Sequence, residues 1–349
     1  MIDLADTDTE TGTFMFAEAA EAAEAVGRQF REQEGAFRRL GAQLRALAPR
    51  LVVTCARGSS DHAATYAKYL IESRAYAFCA SAAPSISSIY ASPLPSAGVV
   101  ALAISQSGRS PDILHATSNL KEAGALVVAL VNAADSPLAE LADVTIPLSA
   151  GPEKSVAATK SHIASLAAIA QLVGQWTEDD ELLAALRRLP SRLEEAFALD
   201  WRRAAEKLQA AGNLFVLGRG VGFGIAQEAA LKLKETCLIH GEAFSAAEVL
   251  HGPAALVRAG FPVFAFAQDD ETLHGMKDVL ARLAKRGAAV IAAGAGAPGG
   301  VCLPTISAHP VLQPILGIQS FYRMANFLSL LRGLDPDRPP NLSKVTETI

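Results

Sequence analysis

The 349-residue sequence contains few cysteines and no cluster of them. The four cysteines are Cys55, Cys79, Cys237 and Cys302, and none belongs to a C-x-x-C pair. This spacing argues against a zinc site and favours buried free thiols in a reducing compartment. The sequence therefore predicts a cytoplasmic protein without a bound metal.

Long apolar runs and clusters of positive charge are also absent. No uninterrupted apolar segment is long enough to span a bilayer, and residues 1–14 are polar and acidic, unlike a signal peptide. The net charge is −5 and no basic run occurs, which argues against nucleic acid as a partner. We therefore expect neither a membrane nor a nucleic-acid partner.

The length and the apolar content predict two domains of the α/β class. Half of the residues are apolar, and 349 residues exceed the usual size of one domain. Each half opens with an apolar strand and a glycine-containing turn, at Cys55–Ser60 and at Gly218–Gly220. Two tandem copies of one fold are therefore expected. The predicted segments are an N-terminal helical part (1–48), a first domain (49–176), a helical linker (177–200) and a second domain (201–349).

Short apolar runs alternate with helical patterns along both halves, which predicts parallel sheets covered by helices on both faces. One or two leading helices are expected over 14–48. The predicted strands are Leu51–Ala56, Ala75–Ala80, Gly98–Ile104, Ala125–Asn132, Val144–Leu148, Asn213–Leu217, Pro262–Ala267, Ala288–Ala293 and Val301–Ile306. The predicted helices are Asp61–Ser73, Pro111–Ala123, Ser155–Trp176, Phe223–Ile239, Glu271–Arg286 and Ile315–Arg332.

One predicted helix carries charged residues in an apolar context. Glu228, Lys232 and Glu235 have the i, i+4, i+7 spacing that puts side chains on one face, and Lys234 points elsewhere. The apolar neighbours indicate a largely buried helix, where charges are seldom found unless they are paired or functional. With His251 nearby in the sequence, these groups suit proton transfer next to a carbonyl. An ordinary surface Glu–Lys pair explains the spacing equally well.

Two hydroxyl-rich turns in the first half suggest an anion site. One is Gly58–Ser60, and the other is Ser105–Asp112, where Ser110 suits the N-cap of a helix and Pro111 its first position. Exposed amides and the helix dipole attract anions at such turns. A single turn would indicate only a capped helix, but two at the ends of parallel strands favour a ligand crevice. The sequence lacks a P-loop lysine and a G-x-G-x-x-G turn.

The local sequence leaves the roles of two lysines open. Lys160 precedes an apolar helix and is either part of a cap or a site lysine. Lys344 follows a proline-rich run near the end of the sequence, and taken alone it indicates a solvated charge.

Together these motifs resemble the sugar isomerase (SIS) domain family, specifically the isomerase half of glutamine–fructose-6-phosphate aminotransferase and the SIS-type glucosamine-6-phosphate deaminases. The matching motifs are Gly58–Ser60, Ser105–Gly108, Ser155–Lys160, Glu228–Glu235, His251–Pro253 and Asn341–Lys344. The resemblance implies two tandem SIS domains, each a parallel sheet flanked by helices in a flavodoxin-like three-layer sandwich. It also implies a homodimer with the site at the subunit interface, and no cofactor.

The resemblance further implies roles for individual residues. Glu235 is expected to move the proton between C1 and C2, His251 to open the sugar ring across a dimer interface, and Lys344 to form a Schiff base with the ketose. Glu228 and Lys232 are expected to orient groups around the sugar, and Lys160 to lie in the substrate site. The residues expected to hold the phosphate are Ser59, Ser60, Ser105, Gln106, Ser107 and Ser110.

The sequence departs from the aminotransferase pattern in ways that change the expected reaction. Residues of a glutaminase domain are absent, so we expect no glutaminase activity and instead the deamination of glucosamine 6-phosphate to fructose 6-phosphate and ammonia. Leu250 stands where the family has lysine, and Arg109 replaces a common glutamate. The alternatives are another aldose–ketose isomerase, a fructosamine-6-phosphate deglycase, a sugar-phosphate sensor, or a partnership with a separate glutaminase chain.

Overall fold

The computed structural model describes residues 10–344, which contain two five-stranded parallel sheets. The first sheet has the strand order β2-β1-β3-β4-β5. Its strands are β1 (Leu51–Cys55), β2 (Phe78–Ser81), β3 (Val100–Ser105), β4 (Leu126–Val131) and β5 (Val144–Pro147). Every pairing is parallel, with Val52 opposite Val100 and Val100 opposite Leu126. The predicted α/β class is therefore confirmed.

The second sheet repeats this plan with the order β10-β9-β8-β6-β7. Its strands are β6 (Asn213–Gly218), β7 (His240–Ser245), β8 (Pro262–Phe266), β9 (Ala289–Ala293) and β10 (Val301–Leu303). Strand β7 was not predicted from the sequence, because its residues lack an apolar run. The strand lies at the edge of the sheet and pairs with β6 alone, so part of it is exposed to solvent.

Helices cover the faces of the sheets. The helices that precede or connect the strands of the first sheet are α1 (Phe14–Ala20), α2 (Ala22–Leu47), α3 (Ser59–Leu70), α4 (Pro84–Ser88), α5 (Pro111–Glu122) and α6 (Pro137–Leu141). The remaining helices are α7 (Lys160–Thr177), α8 (Asp180–Leu186), α9 (Leu189–Ala198), α10 (Arg202–Leu208), α11 (Phe223–Cys237), α12 (Leu273–Lys285) and α13 (Gln313–Leu331). Within the described residues, no helix is both long and apolar enough to cross a membrane.

The described residues form two compact units that interleave along the sequence. The first unit comprises 24–153, 160–190 and 343–344 and holds the first sheet. The second unit comprises 10–23, 154–159 and 191–342 and holds the second sheet. Segment 154–159 therefore belongs to the second unit although both of its neighbours in sequence belong to the first.

Two predicted elements begin three or more residues later than expected. The helix predicted from Ser155 starts at Lys160, because the Ser155 amide donates to the Glu18 carboxylate and the Val156 amide to the Asp337 carbonyl. The strand predicted from Ala75 starts at Phe78, because α3 continues as a π-helical turn over Ile71–Ala75. In both places the backbone makes a different set of hydrogen bonds, and the predicted element begins only after them.

The central strands of the first sheet form the core of the first unit. Every residue of β3 is buried, as are the last five residues of β4. Parallel strands that are covered on both faces need apolar side chains on both sides, so their sequences are continuous apolar runs. The carboxyl ends of β1 and β3, whose hydroxyl-rich turns were singled out above, are neighbours because β1 pairs with β3.

The cysteines divide into three buried thiols and one exposed thiol, all of them free. Burial raises the pKa of Cys55 to about 11, and it raises the pKa values of Cys79 and Cys237 to about 12. The expectation that Cys302 is buried was wrong. In the edge strand β10, the first and third residues are buried and the second, Cys302, is exposed.

We expect one thiol of the native protein to react rapidly with Ellman's reagent at pH 8, because the thiolate is the reactive form and only Cys302 is accessible. Denaturation should expose the other three. The Cys302→Ser variant should lose the rapid phase. A second rapid thiol in that variant would contradict the burial of Cys55, Cys79 and Cys237.

Candidate functional site

The charged face of α11 holds a carboxylate–ammonium–carboxylate cluster. Lys232 Nζ lies 3.6 Å from Glu228 Oε1 and hydrogen-bonds Glu235 Oε2. The side chains of Glu228 and Lys232 are 0% and 1% exposed, whereas that of Glu235 is 21% exposed. Lys234 leaves this face and donates to the Gly241 carbonyl at 3.1 Å. The predicted face is therefore present, and Glu235 is its one carboxylate with access to solvent.

Tyr322 of α13 joins this cluster and was missed by the sequence analysis. Its hydroxyl donates to Glu228 Oε1 at 3.0 Å, and the side chain is fully buried. Glu228 therefore accepts from a phenol and faces an ammonium, which compensates for burying its charge. Nothing in the sequence points to Tyr322, because it lies among apolar residues 94 positions after Glu228.

His251 lies outside this ion-pair cluster. It is exposed and occupies the turn between two short 3-10 helices, Glu248–Leu250 and Pro253–Leu256. The next residue, Gly252, has φ +132°, a conformation that favours glycine. The role of His251 in ring opening stays a prediction.

The two hydroxyl-rich turns lie at the switch point of the first sheet, where the chain leaves β1 and β3 in opposite directions. Open parallel sheets bind ligands in such crevices, at the carboxyl ends of the strands. Ser59 and Ser60 begin α3, after Gly58 at φ +53°. The Ser59 carbonyl accepts a hydrogen bond from His162 Nδ1 at 3.0 Å, and this buried histidine of α7 thereby anchors the turn.

The second turn, after β3, is held by its own serines. Ser105 Oγ accepts from the Gly108 amide at 2.9 Å, and Ser107 Oγ accepts from the Arg109 amide at 3.3 Å. Gly108 has φ +64°, and a Cβ there would lie 2.1 Å from Ser136 Oγ, so only glycine fits. Gln106 and Ser107 are half-buried at the crevice.

The start of α5 also carries features of an anion site. Ser110 occupies the N-cap and Pro111 the first position, as predicted, but the Ser110 side chain makes no capping hydrogen bond. The Ser110 hydroxyl is therefore not engaged in capping the helix. Arg57 Nε pairs with the buried Asp112 Oδ2 at 2.7 Å, which brings a cation from the first turn to the second. Arg57 was not among the site residues predicted from the sequence.

Lys344 is paired in the first unit and is not a solvated charge. Its Nζ lies 3.4 Å from Glu153 Oε2, and the Glu153 side chain is 0% exposed. Glu153 also accepts from Ser161 Oγ at 2.7 Å and from the Ser161 amide at 3.2 Å. Lys160, the first residue of α7, is buried beside Ser161. Glu153 and Ser161 were missed because no local pattern connects them with Lys344.

A sequence profile of the SIS domain matches residues 48–174 and 207–293, which cover most of both sheets. The chain belongs to the SIS domain family. The family predicted from the motifs is therefore confirmed, and the two matches are two SIS repeats. The first match contains all five strands of the first sheet, and the second contains β6 to β9 of the second sheet.

Two known proteins resemble the chain over most of its length. Glutamine–fructose-6-phosphate aminotransferase (isomerizing) of Thermotoga maritima is 38% identical over 265 residues, covering 71% of this chain and 43% of that protein. The solved structure of a candidate phosphosugar isomerase from Silicibacter pomeroyi is 43% identical, with TM-score 0.89, and covers 93% of this chain and 100% of that one.

A second solved structure shows the same correspondence. The C-terminal domain of glucosamine–fructose-6-phosphate aminotransferase from Francisella tularensis is 25% identical, with TM-score 0.84, and covers 93% of this chain and 98% of that one. The chain spans about half the length of the curated relatives it matches.

Proposed function

We propose that the chain is a phosphosugar isomerase that deaminates glucosamine 6-phosphate to fructose 6-phosphate and ammonia. The observation that carries the proposal is the α11 cluster, in which buried Lys232 lies between buried Glu228 and partly exposed Glu235. This arrangement offers one carboxylate to a substrate and holds it in place with a cation. The names of the Thermotoga and Francisella relatives pair fructose 6-phosphate with amino transfer, which supports this substrate class.

The substrate phosphate is assigned to the two turns of the first unit. The residues proposed to bind it are Ser59, Ser60, Ser105, Gln106, Ser107 and Ser110. Hydroxyl groups and helix N-termini are suitable partners for a phosphate, and Arg57 adds a positive charge nearby. We further assign Lys160 to the substrate site, and Lys344 as the amine that can form a Schiff base with the open-chain ketose.

Proton transfer is assigned to Glu235. After His251 assists ring opening, Glu235 removes the C2 proton from the aldehyde form and an enolamine results. Lys232 stabilises the negative charge that develops on oxygen. A proton delivered to C1 leaves an imine at C2, and water then replaces the nitrogen to give fructose 6-phosphate and ammonia. The reaction consumes one water, and the same proton transfer serves a plain aldose–ketose isomerisation.

The proposal includes a homodimer with His251 near the subunit interface and a cytoplasmic location. Three buried thiols are consistent with a reducing compartment. Sedimentation velocity tests the assembly, and a mass of one chain at micromolar concentration would contradict the dimer.

The direct test is to incubate the purified protein with glucosamine 6-phosphate alone and to follow ammonia and fructose 6-phosphate together. Equal amounts of both products establish the deaminase. Glucose 6-phosphate and fructosamine 6-phosphate serve as parallel substrates, because they identify an isomerase and a deglycase respectively. Binding of glucosamine 6-phosphate without either product would reject the proposed reaction and favour a sensor.

Replacing Ser105 and Ser107, the two serines of the turn after β3, tests the assignment of the phosphate site. We expect Ser105→Ala/Ser107→Ala to weaken glucosamine 6-phosphate binding by roughly tenfold or more, since hydrogen bonds to a charged group contribute about 1.5–3 kcal/mol each. Isothermal titration measures this affinity, and circular dichroism checks the fold. Ser118→Ala is the matched control, because the Ser118 hydroxyl donates only to the Glu122 carboxylate, at the exposed end of α5. Unchanged affinity in the double variant would rule out these serines as phosphate ligands.

A further inference from the structure

The second sheet has a crevice of its own that the proposed function does not use. Its strand order repeats that of the first sheet, so its switch point lies between β6 and β8. The turns at this point are Arg219–Gly222 after β6 and Ala267–Asp270 after β8. Because ligands in open parallel sheets bind at the carboxyl ends beside a switch point, this crevice is a candidate site.

A cavity of about 270 Å³ occupies this end of the second sheet. Its walls include Trp201, Phe266, Gln268, Asp269 and Gln313. Pockets for drug-sized ligands measure about 300–1,000 Å³. The volume therefore suits a single small ring compound.

Hydrogen bonds hold the cavity walls in place without a ligand. The Gln268 side chain is 1% exposed, and its Nε2 donates to the Arg219 carbonyl at 2.8 Å. A Cβ at Gly222 would lie 2.6 Å from Gln268 Oε1, so the turn after β6 needs glycine to approach this amide. The Asp269 amide donates to Gln313 Oε1 at 2.6 Å, which ties the turn after β8 to α13. A preformed site of this kind loses little entropy on binding.

The floor of the cavity is aromatic. Trp201 Nε1 donates to the Pro304 carbonyl at 2.9 Å, and the indole lies 6.3 Å from the Phe266 ring. Thr305 and Ser307 add hydroxyl groups to the wall, and both residues are exposed. An aromatic floor with amide and hydroxyl groups around it suits a ring that has an apolar face and a polar edge.

Among the described residues, the charged side chain in the cavity wall is acidic, which disfavours a phosphate. The turn after β8 contains Asp269 and Asp270, whereas the turn after β3 contains serines and a glycine. Asp270 Oδ1 accepts from the Thr272 amide at 2.9 Å, and Oδ2 accepts from Gln268 Nε2 at 2.9 Å. The chain's own carboxylate therefore accepts from the amide of Thr272, the N-cap residue of α12. Among the described residues that line the cavity, none is Lys, Arg or His.

We propose that this cavity binds an unphosphorylated sugar-sized polyhydroxyl compound, uncharged or cationic. Asp269, which is exposed at the cavity, favours a ligand that carries an amine over a neutral one. The inference rests on the second unit alone and does not depend on the proposed deaminase activity.

Tryptophan fluorescence reports on this cavity directly. The chain has two tryptophans, and Trp176→Phe leaves Trp201, in the cavity wall, as the single reporter. We expect glucosamine and glucose each to produce a saturable change, with glucosamine binding more tightly, and glucose 6-phosphate to bind roughly tenfold more weakly or worse than glucose. Equilibrium dialysis with labelled glucosamine checks for one site per chain.

Two exposed positions supply the variants. Ser307→Phe fills the opening and should abolish both signals, while Ser307→Ala should preserve them. Asp269→Asn should lower the preference for glucosamine over glucose several-fold without unfolding the protein. The proposal is overturned if neither sugar saturates the Trp201 signal, if Ser307→Phe binds both sugars normally, or if glucose 6-phosphate binds as well as glucose. None of these readouts measures deamination, so the two proposals fail independently.

Discussion

Glu235→Gln is expected to lower kcat for the deamination of glucosamine 6-phosphate by about 10²- to 10⁴-fold, the contribution typical of a general base. Glutamine has nearly the same shape and keeps an oxygen that can accept the hydrogen bond from Lys232. It cannot take the C2 proton. Binding should therefore persist while turnover is lost, and steady-state kinetics together with isothermal titration measure the two effects separately.

Glu242→Gln is the matched control for this variant. Glu242 is an exposed glutamate of β7, so the same chemical change should leave kcat within a factor of about two, as for most surface substitutions. If Glu235→Gln keeps a rate close to that of the control, Glu235 is not the base and the proposed mechanism is wrong.

Lys232→Met is expected to lower the free energy of unfolding by about 3–5 kcal/mol, the usual effect of removing one partner of a buried ion pair. Methionine nearly matches the length of lysine but leaves Glu228 buried without the ammonium that lies 3.6 Å from its Oε1. Urea unfolding followed by circular dichroism measures the change. The double variant Glu228→Gln/Lys232→Met should recover part of the loss, because it removes the uncompensated charge.

Lys234→Met provides the comparison on the same helix. Lys234 is exposed and donates to the Gly241 carbonyl, so its loss should cost about 1 kcal/mol or less. Equal destabilisation by the two methionine variants would show that the buried cluster contributes nothing beyond an ordinary hydrogen bond.

The charged face of α11 and the two serine turns could be predicted because each depends on short-range spacing. Residues at i, i+4 and i+7 share a helix face whatever the rest of the fold does, and a small polar turn after an apolar strand marks a strand end. Resemblance to the SIS family then connected these separate motifs. The same approach failed for β7, whose place in the sheet depends on its pairing with β6 and not on its own apolar content.

The partners of the buried charges could not be predicted from local patterns. Tyr322 meets Glu228 across 94 residues, His162 meets the Ser59 turn across 103, and Lys344 meets Glu153 across 191. Each contact depends on where the chain returns after many intervening elements. Lys344 shows the consequence most clearly, because its sequence context indicates a solvated charge and its position in the fold gives it a buried carboxylate.

The α/β class, the two repeats, the apolar strands and the residue types at the predicted site can be read from the residue order alone, because they follow from periodicity and from the chemistry of side chains near one another in the chain. Three properties depend instead on the folded chain: which carboxylate of α11 reaches solvent, which groups compensate the buried charges, and the presence of aspartates beside an aromatic cavity in the second crevice. Those properties depend on packing between distant segments, which sets burial and therefore the strength of each electrostatic interaction.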